Sequence, residues 1–212
     1  MRLSAIAVVC GVLVSPAWGA QQRPPAPAQI TPRLDNEQVR VIVATLQPHT
    51  PSISRTGHAT NRVLIYLDEG AMTREEAGNT TRIEFRRGDV RWRPASGAYT
   101  SENVSDSPIR ILEVDLKGPP KGPASTTKLD AVAVDSEHFK VLLENDYVRV
   151  LRVHYGPRES SKNHEHVLQR VILYLNDSPV GKTDEVRMGA PRIHVEENPS
   201  DQPMDAIAVE VK

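Results

Sequence analysis

The feature that most constrains this 212-residue chain is that one β-rich pattern occurs in it twice. Val39-Arg40-Val41-Ile42 recurs 109 positions later as Val148-Arg149-Val150-Leu151, and Pro48 recurs as Pro157 at the same offset. Arg62-Val63-Leu64-Ile65-Tyr66-Leu67-Asp68 recurs 108 positions later as Arg170-Val171-Ile172-Leu173-Tyr174-Leu175-Asn176. Glu102-Asn103-Val104-Ser105-Asp106-Ser107-Pro108 recurs 95 positions later as Glu197-Asn198-Pro199-Ser200-Asp201-Gln202-Pro203. Order and spacing kept at separate places identify a duplication. The fall in offset means that the second copy has lost about 13 residues between Leu175 and His194. The loss is read as falling on the counterpart of the strand at 88–92.

Each copy reads as short strands separated by turn chemistry. Segments 39–46, 62–67, 81–85, 90–93 and 109–116 of the first copy are rich in β-branched and aromatic residues, as are 139–143, 148–155, 169–175, 185–188, 192–196 and 206–211 of the second. Between them lie Asp68-Glu69-Gly70, Arg87-Gly88-Asp89 and Ser105-Asp106-Ser107-Pro108. The best helix signal, Thr73-Arg74-Glu75-Glu76-Ala77, is short and wholly polar. Many short strands at regular spacing specify an all-β sandwich or barrel.

The ends and joints add location. Arg2, an apolar run over 3–14, and Ser15-Pro16-Ala17-Trp18-Gly19-Ala20 have the three parts of a secretory signal peptide, expected over 1–19 and cleaved, with the protein exported to the periplasm or secreted. The only cysteine, Cys10, leaves with it, so the mature chain has no disulfide, Cys-ligated zinc or Cys nucleophile. Residues 20–33 read as a Pro-rich tether and 118–130 as a linker, leaving repeat 1 at 34–117 and repeat 2 at 131–212. With a net charge of −1 the chain has no general attraction for nucleic acid, and none is expected as a partner. No membrane association is expected once the signal is removed. No nucleotide-binding glycine loop, CxxC or Ser/His/Asp order occurs.

His164-Glu165-His166 places two imidazoles on one face of a strand, because residues i and i+2 project the same way. His194 follows 28 residues after His166, far enough for a hairpin to bring it across. Repeat 1 carries Gly88, then Pro94 after five residues, Tyr99, and Asn103 after three more. Together these resemble the cupin superfamily, with its G-x5-H-x-H-x3,4-E-x6-G and G-x5-P-x-G-x2-H-x3-N motifs, over roughly residues 34–212. The resemblance implies two tandem cupin-type, jelly-roll-like β-barrels, the second incomplete. It also implies a metal site in repeat 2 at His164, His166 and His194, for a divalent ion (Fe, Mn, Zn, Ni or Cu). The family glutamate is missing there, since Arg170 or Val171 stands in its place. In repeat 1 only His58 of Thr56-Gly57-His58 survives, and Tyr99 stands where the second motif has histidine, so that repeat is read as having lost its metal.

Other residues have their own readings. Arg91, Trp92 and Tyr99 line a pocket in repeat 1 or pack at its rim. The recurring Arg40/Arg149 and Arg62/Arg170 are expected to pair with Glu102/Glu197. Glu165 and Glu196 either assist the metal site or are exposed charges, and His49, His138 and His154 are read as surface residues. Two functions follow: a bicupin binding a small ligand or metal without assignable chemistry, or a metal-dependent cupin enzyme of oxygenase or isomerase type acting through the three histidines. No residue is assigned a catalytic role, and a small-molecule ligand and a homodimer are the expected partners.

Overall fold

The computed structural model describes residues 26–54, 58–121 and 127–212; the expected signal peptide, and with it Cys10, lies outside them. Repeat 1 consists of β1 (Gln29–Asp35), β2 (Val39–Leu46), β3 (Pro51–Ser54), β4 (Arg62–Tyr66), β5 (Gly70–Glu76), β6 (Asn79–Phe85), β7 (Val90–Arg93), β8 (Tyr99–Asn103) and β9 (Ile109–Leu116). Repeat 2 consists of α1 (Ala131–Val134), β10 (Phe139–Glu144), β11 (Val148–Tyr155), β12 (His164–His166), β13 (Arg170–Tyr174), β14 (Val186–Gly189), β15 (Arg192–His194) and β16 (Met204–Val211).

The duplication is visible as two antiparallel sheets of the same topology, ordered β1-β2-β9-β4-β7 and β10-β11-β16-β13-β14. Even the register agrees. Ile65 faces Val90 as Leu173 faces Val186, and β1 and β10 are bulged at equivalent places, between Pro32 and Leu34 and between Val141 and Leu143. The strands alternate in side-chain direction. One face of each sheet, with Val41, Val43, Val63, Ile65, Leu112 and Val114 in repeat 1 and Val148, Val150, Val171, Leu173, Ile207 and Val209 in repeat 2, joins in a single core. The two sheets therefore pack face to face at the centre of the molecule. Each such side chain contributes about 1.5–3 kcal/mol by leaving water.

The joint is also pinned by charge. Asp184 of repeat 2 accepts from Arg87 Nη2 and Arg110 Nη1 of repeat 1, at 2.6 Å each. Gly88, in the β6–β7 turn, has φ +85°, and a Cβ there would stand 2.5 Å from Arg152 Nη1 of the other repeat. The backbone angle favours glycine, while the arginine tip could move aside.

The opposite faces point outward into the two barrels. In repeat 1 a four-stranded sheet, β3-β8-β5-β6, covers Ala44, Leu46, Leu64, Tyr66, Ile109 and Ile111, and Phe85 stacks on Tyr66 with centroids 4.0 Å apart. In repeat 2 only β12-β15 remains of that cover, and Ala131 of α1 with Phe139 closes over Leu151, Val153, Tyr155, Tyr174 and Met204.

Two expectations, on the missing segment and the tether, are corrected by this arrangement, and the weak helix signal at 73–77 is resolved. The segment missing from repeat 2 is the counterpart of the β5–β6 hairpin, whereas the strand equivalent to 88–92 is present as β14. The offset drops from 108 at Ile65/Leu173 to 96 at Val90/Val186, across that hairpin. Residues 73–77 do not form a helix: Thr73 to Glu76 belong to β5, paired with β6 and β8, and the chain turns at Ala77-Gly78, both at positive φ. The tether ends before Gln29, because 29–33 form the start of β1, an edge strand on which Pro32 is tolerated at the bulge.

Candidate functional site

In repeat 2 the pairing of β12 with β15 sets His164 directly opposite His194, with His166 two residues along the same face. All three lie on the interior side, His164 and His166 fully buried. His164 Nδ1 is 2.9 Å from the Lys162 carbonyl, and His166 Nδ1 is 3.0 Å from Glu210 Oε1. Both neighbours only accept, so each Nδ1 carries the proton and donates it. That leaves the Nε2 lone pairs of His164 and His166 facing each other at 3.2 Å. Two nitrogens bound to one ion at about 2.0–2.1 Å are separated by roughly 3 Å. His194 Nε2 is buried without a hydrogen-bond partner, and ligand atoms of the three residues lie within 4.8 Å of one another. Burial lowers the His164 pKa, and burial with Arg192 nearby lowers that of His194 to about 3, so both rings are neutral near pH 7.

The support is built from the sheet. Burial by itself would raise the Glu210 carboxyl, but hydrogen bonds from His166 and from Arg149 Nε, at 2.7 Å, hold it below the usual carboxylate range. Arg149 is in turn paired with Asp130, the N-cap of α1, at 2.7 Å. A carboxylate behind an imidazole fixes its tautomer and raises its basicity as a ligand. The donor set, its spacing and the orphaned His194 nitrogen all fit a divalent transition metal.

In repeat 1 the equivalent place is cationic. His58, Tyr99 and Asp115 occupy the positions of His166, His194 and Glu210, while Thr56, opposite number of His164, lies outside the described residues. Arg62 Nη2 donates to the Tyr99 hydroxyl at 3.4 Å, and the Arg74 guanidinium lies 3.5 Å over the Tyr99 ring. Burial and the charges of Arg62, Arg74 and Arg93 lower the His58 pKa to about 4. His58, Glu113 and Asp115 bring ligand atoms within 4.8 Å of one another, but Arg62 Nε already faces Glu113 Oε2 at 3.4 Å. A guanidinium stands where a second cation would have to go. Beside this cluster opens a cavity of about 780 Å³, walled by Ile42, Ala44, Leu64, Tyr66, Ile111 and Trp92, with Arg62, Arg74, Tyr99 and Glu113 at its charged end.

No protein-family model matches the sequence, and no curated protein matches it. Solved structures do. A cupin 2 conserved barrel domain protein from Leptotrichia buccalis is 13% identical with a TM-score of 0.55, over 89% of this chain and 90% of that one. The fold is that of the cupins. AerE from Microcystis aeruginosa is 11% identical with a TM-score of 0.59, over 87% of this chain and 98% of that one. Oxalate decarboxylase from Bacillus subtilis, in a structure concerned with its Mn(II) centres, is 12% identical with a TM-score of 0.57, over 85% of this chain and 74% of that one.

Within the cupin frame the structure brings His164, His166 and His194 together as the spacing implied, and sets Arg91, Trp92 and Tyr99 along the repeat 1 cavity. Trp92 also packs across the repeat boundary on Tyr147, with centroids 5.4 Å apart. The recurring arginines do not pair with Glu102 or Glu197. Arg62 faces Glu113, Arg149 holds Glu210 and Asp130, and Arg170 Nη1 donates to the Ala190 carbonyl at 2.9 Å. Glu102 cannot compete, since its neighbours Ser101 and Asn103 are the buried members of β8 and it alternates to the other side.

Glu165 turns away from the histidine face to meet Thr127 Oγ1 at 2.5 Å, whereas burial raises the pKa of Tyr155 and Tyr174 with the Glu196 charge adding to the rise, and Glu196 also acts electrostatically on His164. His49 and His154 are exposed as expected, but His138 is half-buried, held at 2.9 Å by Asp135 and stacked on Tyr155. Sequence reasoning missed Glu210 and Arg74. The signal for Glu210 was a lone carboxylate inside the apolar strand 206–211.

Proposed function

We propose that this is an exported bicupin with divided labour, in which repeat 2 holds one divalent metal ion through His164, His166 and His194 and repeat 1 encloses a small organic ligand. The observation that carries the metal reading is the pair of Nε2 lone pairs opposed at 3.2 Å beside an orphaned third imidazole nitrogen. Each ring donates through Nδ1 to a fixed acceptor, and a cation between the two Nε2 atoms would be held by both. Glu210 and Arg149 orient His166, and the Lys162 carbonyl orients His164. Export is supported by the three-part leader over residues 1–19.

The test is metal analysis of the full-length gene product recovered after export. One equivalent per chain is expected in the wild type, and well under a tenth of that in His194→Ala. A wild-type protein that cannot be loaded with Fe, Mn, Zn, Ni or Cu would overturn the reading. Intact mass of the exported protein tests removal of the leader.

A second reading, a metal-dependent enzyme of oxygenase or isomerase type, has one observation in its favour: Glu196 follows His194 by two residues and its backbone N–H donates to Ser161 Oγ at 2.8 Å, which lies 3.3 Å from His164 Nδ1. A bound ion would supply Lewis acidity at its open positions. Glu196→Gln separates the readings, because it leaves metal content unchanged in both and removes turnover only in the second.

A further inference from the structure

The interior of repeat 1 contains buried guanidinium N–H groups that no group of the described residues satisfies. Arg62 is 1% exposed and its Nη1 has no hydrogen-bond partner; Arg74 is 8% exposed and its Nη2 has none. Both residues line the 780 Å³ cavity. Of the nearby carboxylates, Glu76 is divided between Arg74 Nε, at 3.1 Å, and Arg93 Nη2, at 2.8 Å, while Glu113 Oε2, 3.4 Å from Arg62 Nε, and Asp115 Oδ1 make no hydrogen bond and so leave these donors unsatisfied. Buried charged donors without acceptors are costly unless a ligand supplies the acceptor. Tyr99 fixes both arginines, one at its hydroxyl and one on its ring face. The donors are thereby preorganised rather than free to find water.

We infer that this cavity is the binding site for a small monocarboxylic acid with an apolar body, its carboxylate between Arg62 and Arg74 and its body against Ile42, Leu64, Tyr66 and Ile111. The inference rests on the reading of repeat 1 as a ligand compartment and names the class of ligand. Guanidinium groups match a carboxylate in shape and charge. The apolar part of the wall favours an apolar body, the polar lining at Ser52, Asn79, Thr81 and Ser101 makes a hydroxylated acid the competitor to test, and the volume suits a molecule of drug size or smaller. Burial raises the Glu113 carboxyl to about 7 and the Asp115 carboxyl above its ordinary value, so an incoming anion meets less negative charge than the formal count.

Isothermal titration calorimetry with octanoate, octanamide and glucuronate tests this. Octanoate is expected to bind one per chain, and octanamide about tenfold more weakly. Arg74→Gln should weaken octanoate about tenfold and leave octanamide unchanged. Ala44→Phe, which fills the apolar end, should shift preference from octanoate to butanoate. His194→Ala should bind octanoate as the wild type does, so a failure of the metal reading leaves this one standing.

Equal binding of octanoate and octanamide overturns the carboxylate assignment while keeping the compartment. Glucuronate binding more tightly than octanoate overturns the apolar body, and no binding of any probe overturns both the assignment and the compartment. Should Arg74→Gln fail to fold, by far-ultraviolet circular dichroism, the wild-type comparison of acid with amide decides alone.

Discussion

Repeat 1 keeps a four-stranded cover and a hollow interior, while repeat 2 has a two-stranded cover and an interior filled by its own side chains. At matched positions of the inner sheets, Ile30, Leu46 and Ile109 in repeat 1 correspond to Phe139, Tyr155 and Met204 in repeat 2. The aromatic rings of Phe139 and Tyr155 take up volume that Ile30 and Leu46 leave open in repeat 1. Loss of the hairpin changed the electrostatics, because β5 is the strand that brings Arg74 and Glu76 over the site. Where β5 is present, a guanidinium lies on Tyr99. Where it is absent, Arg170 is drawn to the Ala190 carbonyl and three imidazoles face one another. A metal site and an arginine-lined anion site exclude each other locally, and on the proposed reading the duplication would let one chain offer both.

The largest expected effect tests whether the repeats are one folding unit. Leu112→Ala in repeat 1 and Leu173→Ala in repeat 2, both at fully buried positions of the shared core, should each lower the free energy of unfolding by about 3 kcal/mol. Urea unfolding followed by fluorescence of Trp92, which sits on Tyr147 of the other repeat, should show one transition. Two separate transitions would break the claim of a common core.

Metal removal should separate the repeats next. Saturating Zn(II) at about a hundredfold over its dissociation constant is expected to stabilise the protein by about 2–3 kcal/mol in thermal melts. His166→Ala should abolish that gain and His58→Ala should preserve it; loss of metal in His58→Ala would place the ion in the wrong repeat.

A pH series sharpens the contrast further. Burial raises the Glu113 carboxyl to about 7 against the pull of Arg62, Arg74 and Arg40, with Asp115 adding to the rise and His58 within reach. Because this folded pKa lies above the unfolded one, the stability it contributes is complete below pH 4.5 and lost as pH rises through 7. Glu113→Gln should therefore gain on the wild type by about 1–3 kcal/mol between pH 5 and pH 8. The matched position in repeat 2 is Ala208, which has no such dependence. Equal pH slopes for variant and wild type would refute the assignment. The smallest effect is expected from Asp184→Asn, which weakens the contacts to Arg87 and Arg110 and should cost about 1 kcal/mol without altering metal content.

The inner sheets were legible in the sequence where strands such as β2, β4, β9, β11, β13 and β16 carry a buried face rich in Val, Ile and Leu, a pattern that local composition shows directly, whereas the exposed edge strand β1 was read in part as tether. The histidine cluster was legible because His164 and His166 are two apart on a strand and His194 falls on the matching motif position. What stayed hidden was decided by pairing. An offset counts lost residues without saying which strand kept its partner, so the missing segment was assigned to the counterpart of β7 when β14 occupies that place. Strand β5 escaped because its inward residues, Arg74 and Glu76, face a polar cavity wall, so the usual alternation of apolar and polar residues is lost. Glu210 escaped because its partner Arg149 was assigned to Glu197, a residue of the β15–β16 connection.

The valine-rich face between the repeats has a consequence for how such a chain arises. A half-length ancestor carrying one copy of that face would be self-complementary and would need a second copy of itself to leave water. In a pair of identical chains every substitution appears on both sides of the axis, so a hairpin could not be lost from only one. Fusion into one polypeptide keeps the partner at a fixed, high effective concentration and removes that constraint. The shared face is held by the need to match itself, while the two outer sides became free to evolve as separate genes would.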